Sequence, residues 1–125
     1  QEFGFYPIQA VDSDRQFVPE NFFAVQFHSR GFEIPKGAEM LAAGEIFSNQ
    51  AFRYDANVLG TQFHPECTLA ILRRWQALEV APWKEPGVQA REEQDRLAAL
   101  HLDKVQHWFE QLLGEFFNAP ANTAL

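Results

Sequence analysis

Apolar residues come in short runs along the first half of the chain and recur with a helical period along the second. Phe3, Phe5, Tyr6 and Ile8 predict a strand over residues 2–8. Asp12-Ser13-Asp14 breaks that pattern as a loop. Phe22-Phe23-Ala24-Val25-Gln26-Phe27 is nearly continuous in apolar character, as in a strand buried on both faces. Ile34-Pro35-Lys36-Gly37 has turn chemistry, with Pro presetting φ and Gly free to take positive φ. Met40 to Phe47 and Ala51 to Tyr54 predict two strands joined at Ser48-Asn49-Gln50. Asn57 to Phe63 predicts another, in which Gly60 lets a neighbouring backbone or side chain come close.

From Thr68 the period changes. Leu69, Ile71, Leu72, Trp75 and Leu78 are spaced for a helix with Thr68 as its N-cap and Pro82 as its end. Pro86-Gly87 marks a second break. Leu97, Leu100 and Leu102 then lead into Val105, Trp108, Phe109, Leu112, Leu113 and Phe116, one apolar stripe stopped by Asn118 and Pro120. Glu92, Glu93, Asp95 and Arg96 read as a solvated stretch before it, and the run Glu92-Glu93-Gln94-Asp95 as a solvated face. Four or five strands first and two helical segments last is an unusual order for a complete alternating α/β domain. It is the order expected of the second half of one.

Composition narrows the classes. With 125 residues and 14.4 kDa the chain is one domain by length. At 46% hydrophobic and 22% charged residues it can bury a core, and its thirteen Phe need one. No apolar run approaches the roughly 20 residues of a membrane helix. A net charge of −7 with no basic patch argues against nucleic acid. A single cysteine excludes an internal disulfide and a multi-Cys zinc site. No Gly-rich phosphate loop and no metal-ligand spacing is visible, so neither nucleotide nor metal cofactor is expected. The chain opens at Gln1, inside a predicted strand and without a secretory signal, so an upstream segment and a cytoplasmic setting are expected.

The sharpest chemical signal is Gln62-Phe63-His64-Pro65-Glu66 at the end of a predicted strand. In extended backbone, residues i and i+2 point to the same side, so His64 and Glu66 would project together and Phe63 away. Pro65 holds His64 extended. A carboxylate on one ring nitrogen leaves the other free to take a proton from a nucleophile. The same two residues also fit an ordinary polar strand terminus. His101 and His107 are six apart, off the spacing that places two ligands on one helical face, and read as solvated or packing residues. Trp75, Trp83 and Trp108 read as core and helix docking.

The 62–66 motif resembles the histidine–glutamate motif of class I glutamine amidotransferases. Further pieces fall in that family's order: Glu2-Phe3-Gly4-Phe5-Tyr6-Pro7-Ile8, Phe27-His28-Ser29, Phe32-Glu33-Ile34-Pro35-Lys36-Gly37-Ala38, Leu41-Ala42 and Asn49-Gln50-Ala51-Phe52. The resemblance runs from about Glu2 to about Trp75 and is closest to proteins related to the glutaminase domain of guanosine-monophosphate synthase. It implies an α/β fold, the C-terminal part of a flavodoxin-like three-layer domain. It also implies a Cys-His-Glu triad hydrolysing the side-chain amide of glutamine, with His64 as base and acid, Glu66 orienting it, and ammonia passed to a synthase domain or partner. By the same resemblance Phe27, His28 and Ser29 lie near the glutamine site, with their backbone able to hold substrate. A structural histidine at a strand end is the equal alternative for His28. Arg30 departs from the Asp the family often has there.

The family's nucleophile lies on a Gly-x-Cys-x-Gly turn, and this chain has none. Cys67, its only thiol, would face away from His64 in extended backbone and reads as a small buried hydrophobe at the start of the next helix. Residues 1–125 are therefore expected to be the C-terminal half of an amidotransferase domain, inactive alone. Its unpaired sheet edge should be covered by the missing half or by another chain. A non-catalytic binding remnant of the family and a γ-glutamyl hydrolase of the same fold are the alternatives.

Overall fold

The change of period along the chain corresponds to a change of architecture. In the computed structural model, which describes residues 1–118, five strands precede two helices: β1 (Glu2–Ala10), β2 (Phe22–His28), β3 (Glu39–Gly44), β4 (Asn49–Tyr54), β5 (Val58–Thr61), α1 (Leu69–Gln76) and α2 (Arg91–Asn118). The strands form one sheet in the order β2-β1-β3-β4-β5. Each neighbouring pair is antiparallel. The α/β class and the order of strands then helices are as expected. The predicted stop at Pro120 lies outside the described residues. No helix among the described residues is long and apolar enough to cross a membrane.

The apolar run of β2 is buried on both faces, as its pattern predicts. The register sets Phe3 opposite Phe27 and Phe5 opposite Val25. On that face they pack with Cys67, Leu72, Leu97, Ala98 and Leu102 from the helical half. Residues of the other parity, Ile8, Phe22 and Ala24, pack on the opposite face with Ala42, Ala51, Phe63 and Val105. Trp108 closes this second cluster, and its indole N–H donates to the Phe17 carbonyl at 3.0 Å.

Several boundaries differ from the pattern. β3 stops at Gly44, not Phe47, because Gly44 N–H donates to Ser48 O at 3.2 Å and closes a turn over residues 45–48. Ile46 is half exposed there, and the Phe47 ring leaves the sheet to meet His28. β4 therefore begins at Asn49, so residues 49 and 50 are strand, not connection. β5 is only Val58–Thr61: Gln62 N–H still follows the ladder to Gln50 O at 2.8 Å, and Phe63 then leaves it for the core. Gly60 in β5 does face a close neighbour, the Phe52 ring. Thr68 caps α1 as expected, accepting from Ile71 N at 3.2 Å, but the helix ends at Gln76, well before Pro82, and Leu78 is exposed.

Helix α2 starts at Arg91, so Glu92 and Glu93 form its first turn, where carboxylates oppose the positive end of the helix dipole. Within the acidic run, Gln94 is fully buried, which corrects the solvated-face reading. Its Nε2 donates to Phe3 O at 3.0 Å, and its Oε1 accepts from Gln76 at 2.9 Å. Along the apolar stripe Leu97, Leu102, Val105 and Leu112 are buried, whereas Leu100 and Leu113 are exposed. Leu113 and Phe116 instead rim a groove of about 350 Å³ beside β5.

The flank of β1 opposite β2 carries, before β3 joins it at Ile8, a side-chain substitute for a strand. Val88 bridges Phe3 in parallel, and Gln89 N–H donates to Phe3 O at 3.1 Å. The Gln89 amide then spans Phe5, two residues on: Oε1 accepts from Phe5 N at 2.8 Å and Nε2 donates to Phe5 O at 2.6 Å. These bonds satisfy the main chain of β1 where β3, which pairs only with Ile8–Ala10, does not reach.

Candidate active site

His64 and Glu66 do come together, but a turn, not an extended strand, brings them there. Cys67 N–H donates to His64 O at 3.2 Å, so residues 64–67 form a turn with Pro65 in its second position, where a fixed φ is favourable. His64 N–H donates to Val25 O at 2.8 Å, which ties this turn to the outer edge of β2. The ring Nδ1 lies 2.9 Å from Glu66 Oε1 and 3.3 Å from Oε2. A carboxylate there places the ring hydrogen on Nδ1 and leaves the lone pair on Nε2. Nε2 faces Phe27 O at 3.4 Å, a long contact, and the ring stands edge-on to Trp75. The side chains of His64 and Glu66 are 36% and 46% exposed, so a reacting group can reach them.

Cys67 is not part of this surface. It is fully buried beside Phe3, Phe5 and Leu72, and its thiol approaches Thr68 O at 3.4 Å. Burial, and then the Glu66 charge, push the thiol up to about 12, so it stays protonated and unreactive at neutral pH. This matches its reading as a small hydrophobe.

The segment 27–29 is divided between the two faces of β2. The Phe27 ring stacks on Phe3 at 4.5 Å and meets Trp75 edge-on, while its carbonyl faces His64. Ser29 is exposed. The His28 ring turns to the opposite face, away from the dyad. Its Nε2 lies 2.9 Å from Glu2 Oε1 and 3.0 Å from Gln26 Oε1, and its Nδ1 lies 3.1 Å from Arg30 O. Gln26 continues to Gln50, which donates to Phe47 O at 2.8 Å. The sequence reading missed Glu2 as a polar core residue. Its only signal was a carboxylate at the head of an otherwise apolar strand.

The remaining polar candidates play structural parts. His101 stacks on Phe23 at 4.2 Å, and burial lowers its pKa, with the Lys104 and Arg96 charges adding to the shift. His107 is exposed. Trp75 and Trp108 dock helices as expected, and Trp83 packs on Phe3 at 5.2 Å while remaining 37% exposed. No cluster of three His, Cys, Asp or Glu among the described residues could hold a metal ion.

No protein-family model matches this chain, and no curated protein matches it. Solved structures do. A glutamine amidotransferase from Methylobacillus flagellatus aligns with a TM-score of 0.79 at 21% identity, over 99% of this chain and 55% of its own. A glutamine amidotransferase from Thermotoga maritima aligns with a TM-score of 0.78 at 24% identity, over 95% of this chain and 52% of its own. The chain spans about half the length of these structures. Its fold is that of a glutamine amidotransferase.

Proposed function

We propose that residues 1–125 carry the base and its orienting acid for hydrolysis of the glutamine side-chain amide, and that the nucleophilic cysteine lies outside them, in an N-terminal half of the same domain. The observation that carries this reading is the His64–Glu66 dyad. Glu66 holds Nδ1 at 2.9 Å, and the opposite nitrogen points away from that carboxylate on a side chain that is 36% exposed. In the proposed reaction Nε2 takes the proton of a thiol, and the thiolate attacks the amide carbon of glutamine. Collapse of the adduct breaks the C–N bond as His64 returns the proton to the leaving ammonia, giving a glutamyl thioester. His64 then removes a proton from water as its oxygen attacks the thioester carbon; the C–S bond breaks, and His64 returns the proton to the leaving thiolate, releasing glutamate and the thiol. Glu66 fixes the tautomer and stabilises the imidazolium between these steps.

The inert Cys67 supports an external nucleophile. The fold shared with glutamine amidotransferases over about half their length supports a further portion of the domain. The backbone of Phe27, His28 and Ser29 is proposed to hold substrate beside the dyad. Ammonia is proposed to pass to a synthase domain or partner in the cytoplasm.

The test is ammonia release from glutamine by the longest natural polypeptide containing these residues, assayed with any chain that copurifies. His64→Ala should reduce the rate by about 10²–10⁴-fold, the usual contribution of a positioned acid–base group. An unchanged rate refutes the role of His64. Release of an amino acid in place of ammonia, from γ-glutamyl substrates, points to the γ-glutamyl hydrolase alternative. No turnover from a polypeptide that has a Gly-x-Cys-x-Gly turn points to a binding module.

A further inference from the structure

The polar cluster on the far face of β2 is out of place as a purely stabilising feature. Glu2 and His28 stand opposite each other in the β1–β2 register, and their side chains are 3% and 9% exposed. Buried polar side chains are seldom more favourable than apolar ones of the same size, so the presence of this pair argues for a fixed geometry more than for stability. What it fixes is the backbone one peptide away from the dyad. The Phe27 carbonyl and the His28 N–H belong to one planar unit, so anchoring His28 orients that carbonyl. His28 is anchored at both ring nitrogens. Nδ1 faces Arg30 O at 3.1 Å and holds the chain as it leaves β2, while Nε2 faces Glu2 at 2.9 Å and Gln26 at 3.0 Å. The carbonyl so oriented lies 3.4 Å from His64 Nε2, and two residues earlier the Val25 carbonyl takes the His64 N–H at 2.8 Å.

We infer that the buried Glu2–His28 pair sets the Phe27 carbonyl against Nε2 of His64, making Glu2 and His28 positioning residues for the dyad. The inference rests on the glutaminase reading of His64. Nε2 is the atom that carries the travelling proton, and once protonated it has the Phe27 carbonyl as its acceptor. In the resting state the same carbonyl screens Nε2 and limits how the ring can turn.

The experiment reads His64 directly and needs no turnover, so its outcome is separate from that of the glutaminase assay. The longest natural polypeptide containing these residues is treated with diethyl pyrocarbonate, which acylates an accessible ring nitrogen. Modification of His64 is followed by peptide mass spectrometry relative to exposed His107. Glu2→Ala should raise the relative rate at His64 about threefold, equivalent to about 0.7 kcal/mol at 1.4 kcal/mol per tenfold. Glu2→Gln, which keeps an acceptor for His28, should restore the parent rate. If Glu2→Ala does not fold, His28→Asn, which can reach Arg30 O but not Glu2, carries the same expectation. An unchanged relative rate at His64 in a folded Glu2→Ala or His28→Asn chain overturns the inference. So does a Glu2→Gln chain that behaves like Glu2→Ala.

Discussion

Replacing Gln89 by Ala tests whether a side-chain amide can stand in for a strand. Gln89 satisfies both main-chain groups of Phe5, at 2.8 Å to N and 2.6 Å to O, and Phe5 is wholly buried. A buried main-chain group left without a partner costs about 1–3 kcal/mol. Two such groups set a range of about 2–6 kcal/mol for the variant. Gln89 itself is only half-buried, so water can follow the truncated side chain, and the expected loss lies near the lower end, about 2–3 kcal/mol. Urea unfolding followed by tryptophan fluorescence measures it. With a slope of about 1.5 kcal/mol per M, the midpoint should fall by about 1.3–2 M at unchanged slope. Gln89→Glu is the sharper control. It keeps the acceptor for Phe5 N but sets a carboxylate against Phe5 O. Its folded-state carboxyl should therefore titrate above the ordinary value of about 4.3, and the deficit should shrink as pH falls through that raised value. Gly4 belongs to the same device: a Cβ there, at φ +141°, would meet the Gln89 side chain head-on. Gly4→Ala and Gln89→Ala should then be strongly non-additive. A midpoint shift below about 0.3 M for Gln89→Ala would show that the amide does not hold this flank of β1.

Three further outcomes follow from the packing and the shifted groups. Gly60→Ala places a Cβ 2.4 Å from Phe52 Cε1 and should cost about 1–3 kcal/mol in the same unfolding assay, with Phe52→Leu relieving part of it. His101 has a depressed pKa in the fold, so the unfolded chain binds its proton first as pH falls. Its contribution is complete above the unfolded value of about 6.5 and is lost as pH drops through the lower folded value. His101→Phe, which keeps the stack on Phe23, should flatten the stability profile between about pH 7 and pH 5. Cys67, with its thiol pushed up to about 12, is about 10⁻⁴ ionised at pH 8 and shut in the core. Its reaction with a disulfide reagent should track unfolding, and rapid labelling of the native chain would contradict its placement.

Much of the architecture was legible because burial leaves a period. Phe3, Phe5 and the run from Phe22 to Phe27 announced the two strands that carry the core, and the spacing from Leu97 to Leu112 announced α2. Boundaries failed where an apolar residue left its element. Ile46 and Phe47 continued the pattern of β3, yet the Gly44–Ser48 hydrogen bond turned the chain away. Phe63 prolonged the pattern of β5 because it is buried, but in the core and not in the ladder. The dyad was legible as a pair of residue types. Its geometry was not: a tight turn around Pro65, not an extended strand, brings the two side chains together.

What the sequence determined by itself is therefore local: the two periodicities, the Thr68 cap, the turn residues, and a histidine and carboxylate two positions apart with a proline between them. Only the tertiary structure decided which polar groups are buried. Glu2, Gln26, Gln50, Gln76 and Gln94 look like surface residues in a one-dimensional pattern, and each is buried against a partner distant in sequence or across a strand pair. The physical reason is that hydrophobic burial is non-directional and written into each residue. A buried amide or carboxylate is tolerable only where a particular partner is brought to it, and that partner is supplied by the fold.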